Sequence, residues 1–313
     1  MNIAIISAPD DAHIPFVTNH FPPSVECIIV DPFGAIGEKD ITYNFSKNKL
    51  SVIYGDKSLD DIDSVWLRKP TRTNVSRLNI PTQYYDYTES TLRRHLSPIY
   101  HHWKDAFWVS AHEAISHADQ KPHQLVAAAA IGFRVPETLT TGNKERVRRF
   151  IEKHGRCVVK SQADKFPQGK MIMTTVISES DTLSYDGLAI DPMIFQQLIE
   201  PAYELRVTVV GNEVFGAKIK AADNGPFRDW RYGHIDDSFH AEPESLSKEL
   251  KEKCIRLTRW FGLNFGAIDL IVDKEGQVWF LEINPNGQWA FIEEYTNQPI
   301  GKAIAELLQR QGS

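Results

Sequence analysis

Cysteine is scarce. The 313 residues hold three, Cys27, Cys157 and Cys254, far apart, odd in number and without a Cys-x-x-Cys pair. That argues against a disulfide framework or a thiolate zinc site and suits a reducing compartment. Long apolar runs are missing too. No stretch approaches the roughly 20 residues that a membrane helix needs, and Met1 to Ser7 has no basic leader. A soluble, cytoplasmic protein without a membrane partner is expected. There is no cationic excess: 35 Lys and Arg stand against 41 Asp and Glu, a formal charge of −6. Nucleic acid is therefore not an expected partner. Histidines gather between His95 and His123, yet none forms an HExxH pair, and no serine or cysteine sits in a recognisable triad. The rest is ordinary globular sequence, 42% hydrophobic and 24% charged, long enough for two or three lobes.

The chemistry concentrates near the C-terminus, in Gly266 to Asn286. Two apolar, β-branched and aromatic runs flank Glu275-Gly276, the pattern of a β-hairpin with a tight turn. With those two residues as the loop, Lys274 pairs with Gln277 and Asp269 falls opposite Glu282. Asn284 lies two residues on and shares the face of Glu282. Two opposed carboxylates repel, and burying them costs several kcal/mol each without compensation. Hard divalent cations take such all-oxygen ligands, and Mg²⁺ shares them with nucleotide phosphates. Asp269, Glu282 and Asn284 are therefore the candidate metal ligands.

Earlier segments supply cations. Asn2–Ser7 and Val25–Pro32 have the continuous apolar character of strands buried on both faces, and Ser64–Pro70 reads as another strand stopped by its proline, which predicts a small α/β lobe with a mostly parallel sheet. Arg68 lies near the carboxyl end of its strand, where open α/β sheets place ligands, and could hold a carboxylate or phosphate; a surface salt bridge fits equally. Lys121 opens a helix that has Pro122 near its start and Gly132 at its end. Lys160 closes an apolar strand, where it can snorkel or reach a phosphate. The stretch after it, Gln162 to Lys170, has only Gly169, too little for a glycine-rich phosphate loop. Met193–Pro201 is a buried strand that turns polar. A second hairpin turns at Gly211-Asn212, with Arg206, Thr208 and Val210 on one face and Lys218 and Lys220 alternating on the partner strand; such cations are costly without an anion nearby. Arg228 and Arg231 lie in a loop, Phe227–Gly233, and amphipathic helices are predicted over Ser245–Phe261 and Ile300–Gln309.

Taken in order, Lys121, the Gly-Phe-x-Val-Pro-x-Thr after its helix, Lys160, Gln-Gln-Leu-Ile-Glu, Glu-Leu-Arg-Val-Thr-Val-Val-Gly and Gly-Ala-Ile-Asp…Leu-Glu-Ile-Asn-Pro-Asn resemble the ATP-grasp carboxylate–amine ligases. Asp31-Pro32, Val65–Pro70, Asp229-Trp230-Arg231 and Asn284–Trp289 are similar to the microviridin-type graspetide ligases, which cyclise ribosomal peptides through side-chain esters or amides. The resemblance implies an α/β ATP-grasp fold over 116–313, its central subdomain at 116–198 and its C-terminal subdomain at 199–313, behind a small Rossmann-like domain at 1–115. It implies ATP and Mg²⁺ as cofactors. Lys121, Lys160 and Lys218 would contact ATP, Gln197, Leu198 and Ile199 would present backbone groups to adenine, and Glu200 would lie near the ribose. Arg206, Arg231 and Arg68 would surround the transferred phosphoryl group and the acceptor carboxylate. The expected partner is a precursor peptide, leader and core, with a second copy of the chain as a further candidate. An enzyme adding amino acids to free metabolites is the alternative.

Overall fold

The computed structural model describes residues 1–34, 36, 40–71, 74–162, 174–181, 185–221 and 239–310. In chain order the first strands are Asn2–Ile6 (β1), Glu26–Val30 (β2), Ile41–Ser46 (β3), Lys49–Tyr54 (β4), Lys57–Ser58 (β5), Ser64–Leu67 (β6) and Phe107–Val109 (β7). β1, β2, β6 and β7 form a parallel sheet in the order β2-β1-β6-β7. The apolar run of β1 is buried throughout from Ile3 to Ile6, as a strand covered on both faces requires. β3 and β4 pair around Lys47 and Asn48, whose φ of 50° and 62° suit a two-residue hairpin turn. Among the described residues this part has three α-helices, His13–Thr18 (α1), Tyr85–Leu96 (α2) and Ile99–His102 (α3), the last two split at Pro98. The short α1 and β7 have too few residues to show a period in the sequence.

Helices His112–Ala118 (α4) and Lys121–Ile131 (α5) lead onward; Gly132 ends α5 at φ 99°, in the left-handed region that glycine accepts. Thr138–Thr141 (β8), helix Lys144–His154 (α6), Arg156–Lys160 (β9), Thr175–Ser178 (β10) and Met193–Gln197 (β11) follow. The strands pair antiparallel in the order β10-β9-β11-β8, and Asn143 caps α6 through two backbone N–H groups.

The third large sheet comprises Pro201–Val210 (β12), Glu213–Ala221 (β13), Phe239–Pro243 (β14), Phe265–Asp273 (β15) and Val278–Asn284 (β16), ordered β14-β13-β12-β15-β16. Helix Lys248–Trp260 (α7) begins three residues later than expected, because Ser247 rather than Ser245 caps it. Ala290–Thr296 (α8) and Ile300–Gln309 (α9) follow. Alternation along β12 and β15 divides the sheet's two faces. Leu205, Val207, Ile268 and Leu270 pack with α5 and α7, while Val210, Phe265 and Ala267 pack with α8 and α9. Both cores continue into the parallel sheet, one through Ala4 and Ile6, the other through Ile3 and Ile5. Among the described residues no helix is long and apolar enough to cross a membrane.

Candidate functional site

The hairpin β15–β16 brings Asp269 opposite Glu282, as expected, by a different turn. Gly276 N–H bonds the carbonyl of Asp273, and Asp273 N–H bonds the carbonyl of Gln277, so the loop has three residues, Lys274 to Gly276. The Asp273 carboxylate favours this turn by accepting from the N–H groups of Glu275 and Gln277, with Gly276 at φ 77°. Val272 therefore pairs with Val278, one residue away from the expected register. A bulge at Leu281 takes up the difference. A flat hairpin would swing Phe280 out of the core; the bulge keeps it fully buried against Leu270 while Glu282 stays on the face of Asp269.

On that face the Asn284 amide Nδ2 donates to Asp269 at 3.0 Å and to Glu282 at 3.1 Å. Three cations surround the carboxylates. Lys121 Nζ lies 2.6 Å from Glu282 Oε2, and Arg206 forms an ion pair with Asp269. Lys160 Nζ donates to Gln196 Oε1 at 3.1 Å and feels Glu282, Lys121 and Asp269 electrostatically. Burial works against the charge of Glu282, but Lys121 and Lys160 prevail and bring its carboxyl down to about 2. Asp269 moves the other way: burial and the neighbouring Glu282 raise it against the pull of Arg206. Burial lowers Lys160. Two carboxylates of unlike acidity thus sit among phosphate-sized cations, with 17% and 28% of their side chains still exposed.

The remaining predicted residues spread out. Gln197 N–H is bonded to the carbonyl of Glu137, and Leu198 and Ile199 follow outside any strand. Glu200 pairs with Arg156 at 2.5 Å in an exposed bridge. Lys218 is not brought to the cluster. It stands beside Leu205, on the opposite face of the sheet from Arg206, 4.2 Å from the Tyr203 ring centroid and 3.9 Å from Glu242. Strand alternation explains this, since the residue opposite Arg206 is Ala217. Arg68 is 2% exposed and lies under the loop after β16, where its Nη1 donates to the Asn286 carbonyl and its Nη2 to Gln288 Oε1 at 3.0 Å. Its Nε faces Asp11 at 3.4 Å. Arg206 reaches the same loop, donating to the Gln288 carbonyl at 3.2 Å. Arg231 with the Phe227–Gly233 loop, and all of Gln162–Lys170 except Gln162, lie outside the described residues.

Sequence reasoning missed three members of this network. His13 accepts from Trp289 N–H on Nε2 at 3.2 Å while its Nδ1 meets Asp11 at 2.7 Å, a neutral imidazole whose pKa burial lowers. Asp11 is held below the usual carboxylate range by His13 and Arg68, against its burial. Gln124, 2% exposed, bonds the backbone of Ile283. Only Gln124 left a signal, as a polar residue one turn after Lys121 and directly before the apolar run Leu125–Ile131.

A model of the RimK-like ATP-grasp domain matches residues 117–308. A probable alpha-L-glutamate ligase of Vibrio vulnificus is 27% identical over 209 residues, covering 65% of this chain and 67% of that protein. Among solved structures, the Chryseobacterium gregarium RiPP-associated ATP-grasp ligase, in complex with ADP and a leader and core peptide, is similar over 100% of this chain and 97% of its own, with TM-score 0.89 and 28% identity. The macrocyclase MdnC from Microcystis aeruginosa MRC, bound with precursor peptide MdnA, matches over 98% and 99%, with TM-score 0.86 and 28% identity. With a carboxylate pair set among lysines and arginine on this fold, the chain belongs to the RimK-like ATP-grasp family and is an ATP-dependent carboxylate ligase.

Proposed function

We propose that this ligase closes rings in a ribosomal precursor peptide, joining Asp or Glu side chains to Ser or Thr hydroxyls or to Lys amines. The observation that carries the reading is the extent of similarity. The peptide-bound ligases match the whole chain, front lobe included, whereas the glutamate ligase matches about two thirds of it. Addition of an amino acid to a small acceptor is the second reading, favoured by that glutamate-ligase relative.

The donor set fits the group that the fold implies. Among the described residues no three His, Cys, Asp or Glu side chains converge as a metal site, so Asp269 and Glu282 with Asn284 form a partial set of hard oxygens. Such a set suits Mg²⁺, which completes its shell with phosphate oxygens and water. Asn284 would turn its amide so that the oxygen faces the ion. The ion supplies neutralisation of charge on the transferred phosphoryl group. Lys121 would exchange Glu282 for a phosphate, and Lys160 would add a second contact from the facing sheet. Leu198 and Ile199 would offer backbone groups to adenine, with Gln197 held by Glu137 and Glu200 nearest the ribose. Arg206 pairs with Asp269, opposing the burial that raises its carboxyl, and adds positive charge where negative oxygens crowd. Arg231 would face the acceptor carboxylate. That carboxylate takes the γ-phosphoryl group as ADP leaves; the acyl phosphate is then attacked by a hydroxyl or amine, and phosphate departs.

Incubation with ATP, Mg²⁺ and a candidate precursor peptide tests the reading by mass spectrometry. A loss of one water per ring, with ADP released, is the expected result. Consumption of free glutamate, with the acceptor gaining the mass of glutamate less one water, would replace it with the second reading.

A further inference from the structure

The metal-side ligands stand on an edge strand. β16 pairs with β15 along one side only, so its outer N–H and C=O groups need partners elsewhere. At Ile283, the residue between Glu282 and Asn284, one side chain provides both. Gln124 Oε1 accepts from Ile283 N–H at 3.1 Å, and its Nε2 donates to the Ile283 carbonyl at 2.9 Å. The second Nε2 proton goes to the Ala118 carbonyl at 2.6 Å. The amide thus replaces a missing rung of the ladder while anchored to the end of α4.

The consequence for the site is geometric. Fixing the peptide units on either side of Ile283 fixes the directions in which Glu282 and Asn284 leave the strand, just beyond the bulge at Leu281 where the ladder is locally weakest. Gln124 lies one turn beyond Lys121 on α5, so the same helix that sets Lys121 on Glu282 also grips the backbone beneath it. Burying an amide in this way is worthwhile only where all its groups are paired, and here Oε1 and both protons are.

We propose that Gln124 is a positioning residue for the metal-binding pair, holding Glu282 and Asn284 at the spacing that Mg²⁺–nucleotide needs. This rests on the assignment of Asp269, Glu282 and Asn284 to the ion. Truncating the amide leaves the strand in place but lets the two ligands diverge, so the metal's contribution to nucleotide binding falls while the nucleotide's own contacts remain.

The test measures ADP affinity of the full chain by calorimetry, in Mg²⁺ and in EDTA, for the parent, Gln124→Met and Glu282→Gln. In the parent Mg²⁺ tightens ADP binding. In Gln124→Met that tightening falls by about 10- to 100-fold, the usual cost of removing a residue that orients metal ligands, with affinity in EDTA unchanged. Glu282→Gln loses it as well. If Gln124→Met keeps the tightening while Glu282→Gln loses it, the positioning role is overturned and the metal assignment stands. If both variants keep it, both are overturned. Should Gln124→Met not fold, Gln124→Glu carries the test. Its buried acid, protonated at about pH 6, keeps both bonds to Ile283, and ionisation at higher pH turns it against two carbonyls. The Mg²⁺ tightening should then decline with rising pH in this variant alone; a pH-independent tightening overturns the proposal.

Discussion

The two sheets that meet around Lys160 and Glu282 rest on cores of different kinds. The sheet carrying Asp269 and Glu282 has a helical layer on each face, and both of its cores run on into the parallel sheet of the front lobe. The sheet carrying Lys160 has a small core of its own, built from Val147, Phe150, Ile151, Cys157, Ile177, Leu188 and Phe195, and shares none of these residues with the others. Carboxylates and two of the cations thus belong to the larger body, and Lys160 to the smaller. A region with few buried contacts opens more readily than the molecule as a whole. A ligand clasped between them is therefore gripped by one firm side and one yielding side.

Removing a charge from each side has the largest expected effect. Glu282→Ala is expected to lower ligase turnover by about 100-fold or more, as removal of a group that organises transition-state charge does. Turnover equal to the parent, followed as ADP release, would show that the firm side carries no chemistry. Lys160→Met should weaken ATP binding by about 10- to 100-fold, the worth of one or two charge-assisted hydrogen bonds. Because burial disfavours its charge, the same change should leave the melting temperature unchanged or raised. A melting temperature that drops together with affinity would make Lys160 structural.

Core truncations probe the bodies themselves. Phe280→Ala and Phe195→Ala should each cost about 3–5 kcal/mol. The first is expected to lower cooperative melting of the whole chain, the second to speed hydrogen exchange mainly within 138–197. Equal exchange in both bodies for either variant would erase the distinction. The smallest expected effect is on pH dependence. Glu282 has a folded-state pKa below its ordinary value, so its contribution to stability is complete above about pH 4.5 and is lost as the pH falls toward 2. Glu282→Gln should therefore flatten the acid limb of a denaturation profile. An unchanged limb would place the pairing with Lys121 outside the folded-state ledger.

Much of this was legible in the sequence because local rules agreed. The continuous apolar run of β1, Pro122 and Gly132 around α5, and the turn at Gly211-Asn212 are each specified by neighbouring residues. The pairing of Asp269 with Glu282 was legible too, although two departures cancel behind it. Val278 to Leu281 is apolar at every position, so alternation cannot say whether Phe280 or Leu281 faces the core. Packing against Leu270 decides it, and the bulge follows. Lys218 shows the opposite case: its charge suggested the site, but the strand's parity, fixed by Arg206 opposite Ala217, turns it away. Asp11 and His13 left no trace because their partners, Arg68 and Trp289, are distant in the chain and are joined only by tertiary folding.

That distance has a consequence during synthesis. Arg68 waits for Asn286, 218 residues further along. At about 5–20 residues per second, this is on the order of 10–40 s in which the arginine and its neighbours exist without the loop that buries them. One apolar face of the front lobe waits longer still, since α9 supplies part of its cover and follows the other described elements in the chain. A ribosome that stops before Phe265 therefore releases a chain whose first strand, though complete, has no finished core to enter. Such a product should be insoluble, and the lobe translated first is among the last to become folded protein.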